Sequence, residues 1–145
     1  MALTNSNDYI TGRKPTVYPA GPEVVAMRFP LVLATADLVA GVIGQIGVLP
    51  AGLVPVAMIV DSDDMDSNAS PTLSMSIGVL NAAGTALSTA TDDGGAAWAT
   101  GVVTSQTSGA VFTNSVALNR VNQSQTADRK IGLSITASAA TAVSG

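Results

Sequence analysis

A chain of 145 residues with no cysteine and no histidine suits one domain with a single core, and it excludes disulfides, thiolate zinc sites and both Ser-His-Asp and Cys-His catalysis. Charged residues make up 11% and hydrophobic residues 47%, against about 25% charged in an ordinary soluble domain, so much of the surface must be hydroxyl, amide or small apolar and ready to associate. A net charge of −4 with only six Lys and Arg speaks against nucleic acid as a partner, since phosphate binding needs clustered positive charge.

Residues 1–22 are polar and broken by Pro15, Pro19 and Pro22, which fix φ and hold the preceding residues extended. No basic stretch leads into an apolar one, so this is not a secretory signal. It reads as an extended N-terminal arm that orders on assembly, ahead of a single domain at 23–145. Tyr9, Ile10, Arg13, Lys14 and Tyr18 are its candidate partner contacts. Their apolar members lack periodic neighbours, and Arg13 and Lys14 are two of the six positive charges.

Val25, Met27, Phe29, Leu31 and Leu33 alternate with smaller or polar positions, the period of a half-buried strand, and Pro30 places that strand at an edge or bulge. A short turn at 36–39 leads to a glycine-opened β segment at 42–49 and a turn through Pro50 and Gly52. Gly41, Gly44 and Gly47 match neither the dinucleotide fingerprint nor a P-loop, and read as close backbone packing or bulges. Residues 38–60 carry no charge and exceed the roughly 20 needed to span a bilayer. Pro50, Pro55 and four glycines interrupt any such helix, so no membrane span is expected.

The clearest strands are Val54, Val56, Met58, Val60 and Leu73, Met75, Ile77, Val79, each alternating over four positions. Between them lie Asp61, Asp63, Asp64 and Asp66. The EF-hand template fails there, with Ala69 at its glycine position and Met75 at its glutamate position, so the segment reads as a solvated loop without metal. Residues 81–84 form a hairpin turn returning through a weaker strand at 85–91. Asp92 and Asp93 close a turn; adjacent on an extended chain, they would point apart and make a poor glycosidase pair. Residues 96–99 suggest one helical turn, with Trp98 as a packing anchor. Val111 and Phe112, residues 116–121, and Ile131, Leu133 and Ile135 complete the strands. Short alternating strands between Gly, Pro and Asp turns indicate a mainly β fold, an antiparallel β-sandwich or jelly-roll-like domain. With no nucleophile motif and no general base beyond carboxylates, neither enzymatic activity nor a cofactor is expected.

The stretch 36–56, the Asp-rich segment 61–67 and residues 71–81 together resemble small β-sandwich head proteins of tailed phages, the decoration or cement subunits. The resemblance covers residues 24–81 and, more loosely, 137–145, and rests on turn and strand signatures. It implies a structural virion protein on the outer surface of a phage head, made in the host cytoplasm. Such a protein binds the major capsid protein after expansion, often as a homotrimer, and clamps neighbouring capsomers. Proteins of this look continue past a segment like 139–145 into a final strand; here that strand is expected to be absent or supplied by a neighbour, with the arm covering an open sheet edge. Two alternatives stand beside this: another virion part, such as a head fibre base or tail protein, and a carbohydrate-binding β-sandwich. One Trp, two Tyr and two Phe leave few aromatics for a sugar platform.

Overall fold

The computed structural model describes residues 1–145. Six strands, all paired antiparallel, make two sheets: β1 (Ile43–Leu49), β6 (Arg129–Ala137), β3 (Ser74–Val79) and β4 (Ala99–Val102) form one in the order β1-β6-β3-β4, and β2 (Met58–Ser62) pairs with β5 (Gly109–Thr113) in the other. This is the mainly antiparallel, two-sheet architecture that the alternating pattern predicts. No helix is long and apolar enough to cross a membrane; the uncharged stretch 38–60 becomes β1, a turn and the start of β2.

The core lies on the inner face of the four-stranded sheet. Met75, Ile77 and Val79 of β3 and Ile131, Leu133 and Ile135 of β6 are all buried within one 17-residue cluster that also holds Trp98, Leu118 and Val121. β3 is central and is buried on its other face as well, at Ser76 and Gly78. Trp98 is 3% exposed, and its indole N–H donates to the Asp93 carbonyl at 3.2 Å, the satisfied anchor expected of a lone tryptophan. The ribbon β2–β5 adds Met58 and Val60 to the edge of this core.

Several elements differ from the reading of the sequence. Residues 116–121 form no strand: Val116–Asn119 is one helical turn, α1, capped by Ser115, whose Oγ accepts from the Leu118 N–H at 3.1 Å. Val116 and Leu118 stand two apart, as on a strand face, but only Leu118 is buried, while Leu118 and Val121, both buried, stand three apart, as on a helix face. The helical turn expected at 96–99 is instead a 3-10 turn at Thr91–Asp93, with residues 94–98 leading from it to β4. The weak strand at 85–91 is reduced to a single bridge between Leu80 and Leu87. Residues 54–57 stay outside β2.

The segment 24–33 shows the expected alternation, with residues 25, 27, 29, 31 and 33 turned inward and the intervening ones exposed. It is nevertheless not a paired strand, since no backbone–backbone hydrogen bond involves residues 24–32. Pro30 removes one donor, and the β1 edge is bridged by another segment, through Ala2 and Ile43.

Ile77 and Ile59 separate burial from alternation. Ile77, 3% exposed, should not tolerate aspartate, because an unpaired buried charge costs several kcal/mol against a total of about 5–15. Ile59, 66% exposed on the outer face of β2, should accept it within about 0.5 kcal/mol. Urea melts of Ile77→Asp and Ile59→Asp check both; a cooperative, wild-type-like melt for Ile77→Asp would contradict the assignment of the inner face.

Candidate functional site

The first fourteen residues are tied to the sheet by a short series of specific contacts. Ala2 bridges Ile43 in parallel sense, and the Leu3 side chain lies over Gly44. Thr4 donates to Asp37 Oδ1 from its backbone N–H at 2.9 Å and from its hydroxyl at 2.7 Å. The Asn7 amide donates to the Ile46 carbonyl at 2.7 Å, while its Oδ1 accepts the N–H groups of Tyr9 and Ile10, both at 3.1 Å. Asn7 thus turns the chain at the point where it leaves the sheet, as Asn commonly does. Gly44 and Gly47 are small for a packing reason: a Cβ on Gly47 would stand 2.7 Å from the Phe29 ring.

These pins set the positions of the predicted contact residues. Tyr9 meets Phe29 edge-on, with centroids 4.8 Å apart, and the Lys14 ammonium sits 5.0 Å above the Tyr9 ring. Ile10 is half-buried beside them. Arg13 projects into solvent, 3.9 Å from Asp8. The structure therefore gathers Tyr9, Ile10, Arg13 and Lys14 into one turn. Tyr18 stands apart, its hydroxyl 3.5 Å from Asp128, whose carboxylate also accepts the Ala51 N–H at 2.9 Å.

Two buried carboxylates, neither singled out individually by the sequence, hold this end of the molecule together. Burial acts to raise the pKa of Asp37, but the hydrogen bonds from the Thr4 hydroxyl and from the N–H groups of Ala34 and Thr4 outweigh it and hold the group below its ordinary 3.8. Asp66, the last acid of the loop expected to be solvated, is 1% exposed. Its oxygens accept four backbone N–H groups, from Thr72, Leu73, Ala140 and Thr141, at 2.7–3.0 Å. Against the opposing effect of burial, these bonds hold its carboxyl well below the usual carboxylate range. Asp61 pairs instead with Arg28 at 2.7 Å on the surface, and no three acids of the chain converge to hold a cation. The available sequence signal for Asp37 is its setting: an acid between Ala36 and Leu38 in an apolar run needs several donors if it is buried.

Two further surface features stand out. On the ribbon, Ile59 and Phe112 face each other directly across the ladder, 66% and 65% exposed. Between β4 and β5 runs an open cleft of about 540 Å³, lined by residues 98–104 and by residues from 107 to 115, none of them charged.

No protein-family model matches the chain, and no curated protein matches it in sequence. Two solved structures do. A chain of the capsid of Ralstonia phage GP4 superposes with a TM-score of 0.73 at 28% identity, covering 97% of this chain and 89% of that one. A chain of the cyanophage Pam1 capsid asymmetric unit superposes with a TM-score of 0.56 at 18% identity, over 91% of this chain and 92% of that one, a likeness of fold alone.

The Asp37 contact carries a pH dependence with a defined sign. A carboxyl whose folded pKa is depressed stabilises the docked N-terminus fully above its unfolded value of 3.8 and loses that contribution as pH falls below it, through the folded value. Residues 1–14 should therefore become protease-sensitive in that acid range, and Asp37→Ala should expose them at neutral pH. Limited proteolysis followed by mass spectrometry reads both. Gly47→Ala should destabilise by about 1–3 kcal/mol, because Phe29 must leave its seat; calorimetry of the purified variant measures it.

Proposed function

We propose that this chain is a structural component of a tailed-phage capsid, and specifically a decoration (cement) protein that binds the outer face of the expanded head between capsomers. The observation that carries the reading is the 28% identity, over 97% of the chain, to a chain of the Ralstonia phage GP4 capsid. The chemistry of the molecule agrees with it. A surface with 11% charge suits extensive protein contact, and no constellation of acid, base and nucleophile suggests turnover.

In this reading the domain is residues 23–145 and the arm residues 1–22, with the turn carrying Tyr9, Ile10, Arg13 and Lys14, together with Tyr18, meeting the major capsid protein. Arg13 and Lys14 are exposed cations on an acidic chain and would set orientation on an acidic patch of the lattice. A closed ring, most simply a trimer, follows if neighbouring copies cover one another's sheet edges, since closed symmetry ends assembly where an open contact would propagate.

The purified protein should sediment with expanded capsids and not with procapsids. Failure to sediment with either would overturn the decoration role. The double substitution of Arg13→Glu and Lys14→Glu should weaken capsid binding about tenfold, equivalent to about 1.4 kcal/mol, while lowering stability by no more than about 1 kcal/mol, the size of the exposed contact of Lys14 with Tyr9 that it removes. Sedimentation velocity at micromolar concentration tests the trimer.

A further inference from the structure

We infer that the cleft between β4 and β5 is a receptor for a short extended strand of another polypeptide, which joins the two sheets by β-augmentation. The inference rests on the capsid reading for the identity of that polypeptide, which is then the capsid subunit.

The backbone states the requirement. β4 ends the four-stranded sheet and pairs only with β3, while β5 pairs only with β2. Each strand therefore keeps one edge without a ladder partner, and the residues of both line the same open cleft of about 540 Å³. Two unpaired edges flanking one groove can both be satisfied by a single strand, through main-chain hydrogen bonds. The four residues of β4 and five of β5 correspond to an insert about 13–17 Å long.

The lining selects the occupant. Thr100, Thr104 and Thr113 offer hydroxyls, Val103 and Val111 are exposed apolar groups, 48% and 37% accessible, and no charged side chain borders the groove. An acidic or basic insert would be desolvated there without a counterion, so the insert is uncharged and rich in small or β-branched residues.

A second copy of this chain is a poor donor. Residues 15–20, 24–32 and 54–57, which make no backbone–backbone hydrogen bonds, are interrupted by Pro15 and Pro19, by Pro30 and by Pro55. An insert paired on both sides is a central strand, where proline is not tolerated. Residues 24–32 also carry Arg28, held by Asp61 at 2.7 Å, and pack Phe29 and Leu31 against their own core. The chain's other uncharged extended runs, in β1, β3, β4 and β5, are already in ladders.

Hydrogen exchange and co-sedimentation with expanded capsids test this together. On capsid binding, the amides of β4 and β5 should slow at least tenfold, and Val103→Asp and Val111→Asp should each lose at least tenfold in affinity. Val24→Asp, at a residue 79% exposed away from the cleft, should bind as the wild type does. Melting curves confirm that the variants fold. If the wild-type protein binds capsids while those amides exchange freely, or if the cleft variants bind normally, the strand receptor is overturned and the capsid role survives. Slowing that appears without capsids and grows with protein concentration would identify a second copy as the occupant and overturn the assignment to a different polypeptide. If the wild type binds no capsid, the functional reading and the capsid strand fall together.

Discussion

The fold depends on a carboxylate that never reaches solvent. Asp66 lies at the end of a loop rich in acids, yet its two oxygens collect N–H groups from both sides of a gap, Thr72 and Leu73 on the way into β3, and Ala140 and Thr141 on the way out of β6. β3 and β6 are the two central strands of the main sheet, so the same side chain fixes how one begins and where the other is led. A buried charge is tolerable only when so fully bonded. An amide in its place would turn donors toward donors, leaving backbone groups unpaired in an apolar setting.

Asp37 repeats the device, gathering Thr4 and Ala34. The C-terminal residues are bound in as well, by reciprocal hydrogen bonds between Leu33 and Gly145 and by the bond from Val143 to the Met65 carbonyl. The molecule thus uses few charges, but two of its ten acids act as internal fasteners for segments that no ladder holds. This accounts for a sandwich with one narrow sheet: much of its second layer is loop and extended chain secured by side chains.

What could be read from the sequence follows the same division. The central strands β3 and β6 were legible because both bury alternate apolar residues over a long run, and period-2 alternation reports a buried face directly. Residues 24–33 alternate just as cleanly and do bury one face, but alternation carries no information about hydrogen-bond partners; the missing ladder was invisible. At 116–121 the apolar spacing fitted two periods, and the Ser115 cap was the discriminating signal. Trp98 and the close packing at Gly44 and Gly47 were legible from residue type alone. Asp66 was not, because four donors from two distant segments converge only after the sheet has formed. The cleft between β4 and β5 was equally hidden, since it exists only through the order of strands. The turn that groups Tyr9, Ile10, Arg13 and Lys14 went unread in a segment taken as an extended arm, although Asn7, whose side chain accepts the N–H groups of Tyr9 and Ile10, is a residue type that turns the chain. Tyr18 ends apart from them, beside Asp128 of a distant loop.

The directly opposed Ile59 and Phe112 give the ribbon a face whose attraction for any apolar surface is solvent-driven and not Coulombic. Such an attraction has little charge for added salt to screen, and it strengthens in the presence of sulfate or phosphate. Apolar burial also has almost no enthalpy near room temperature and weakens on cooling. A particle held partly through this ribbon would keep its grip in brine and loosen in the cold.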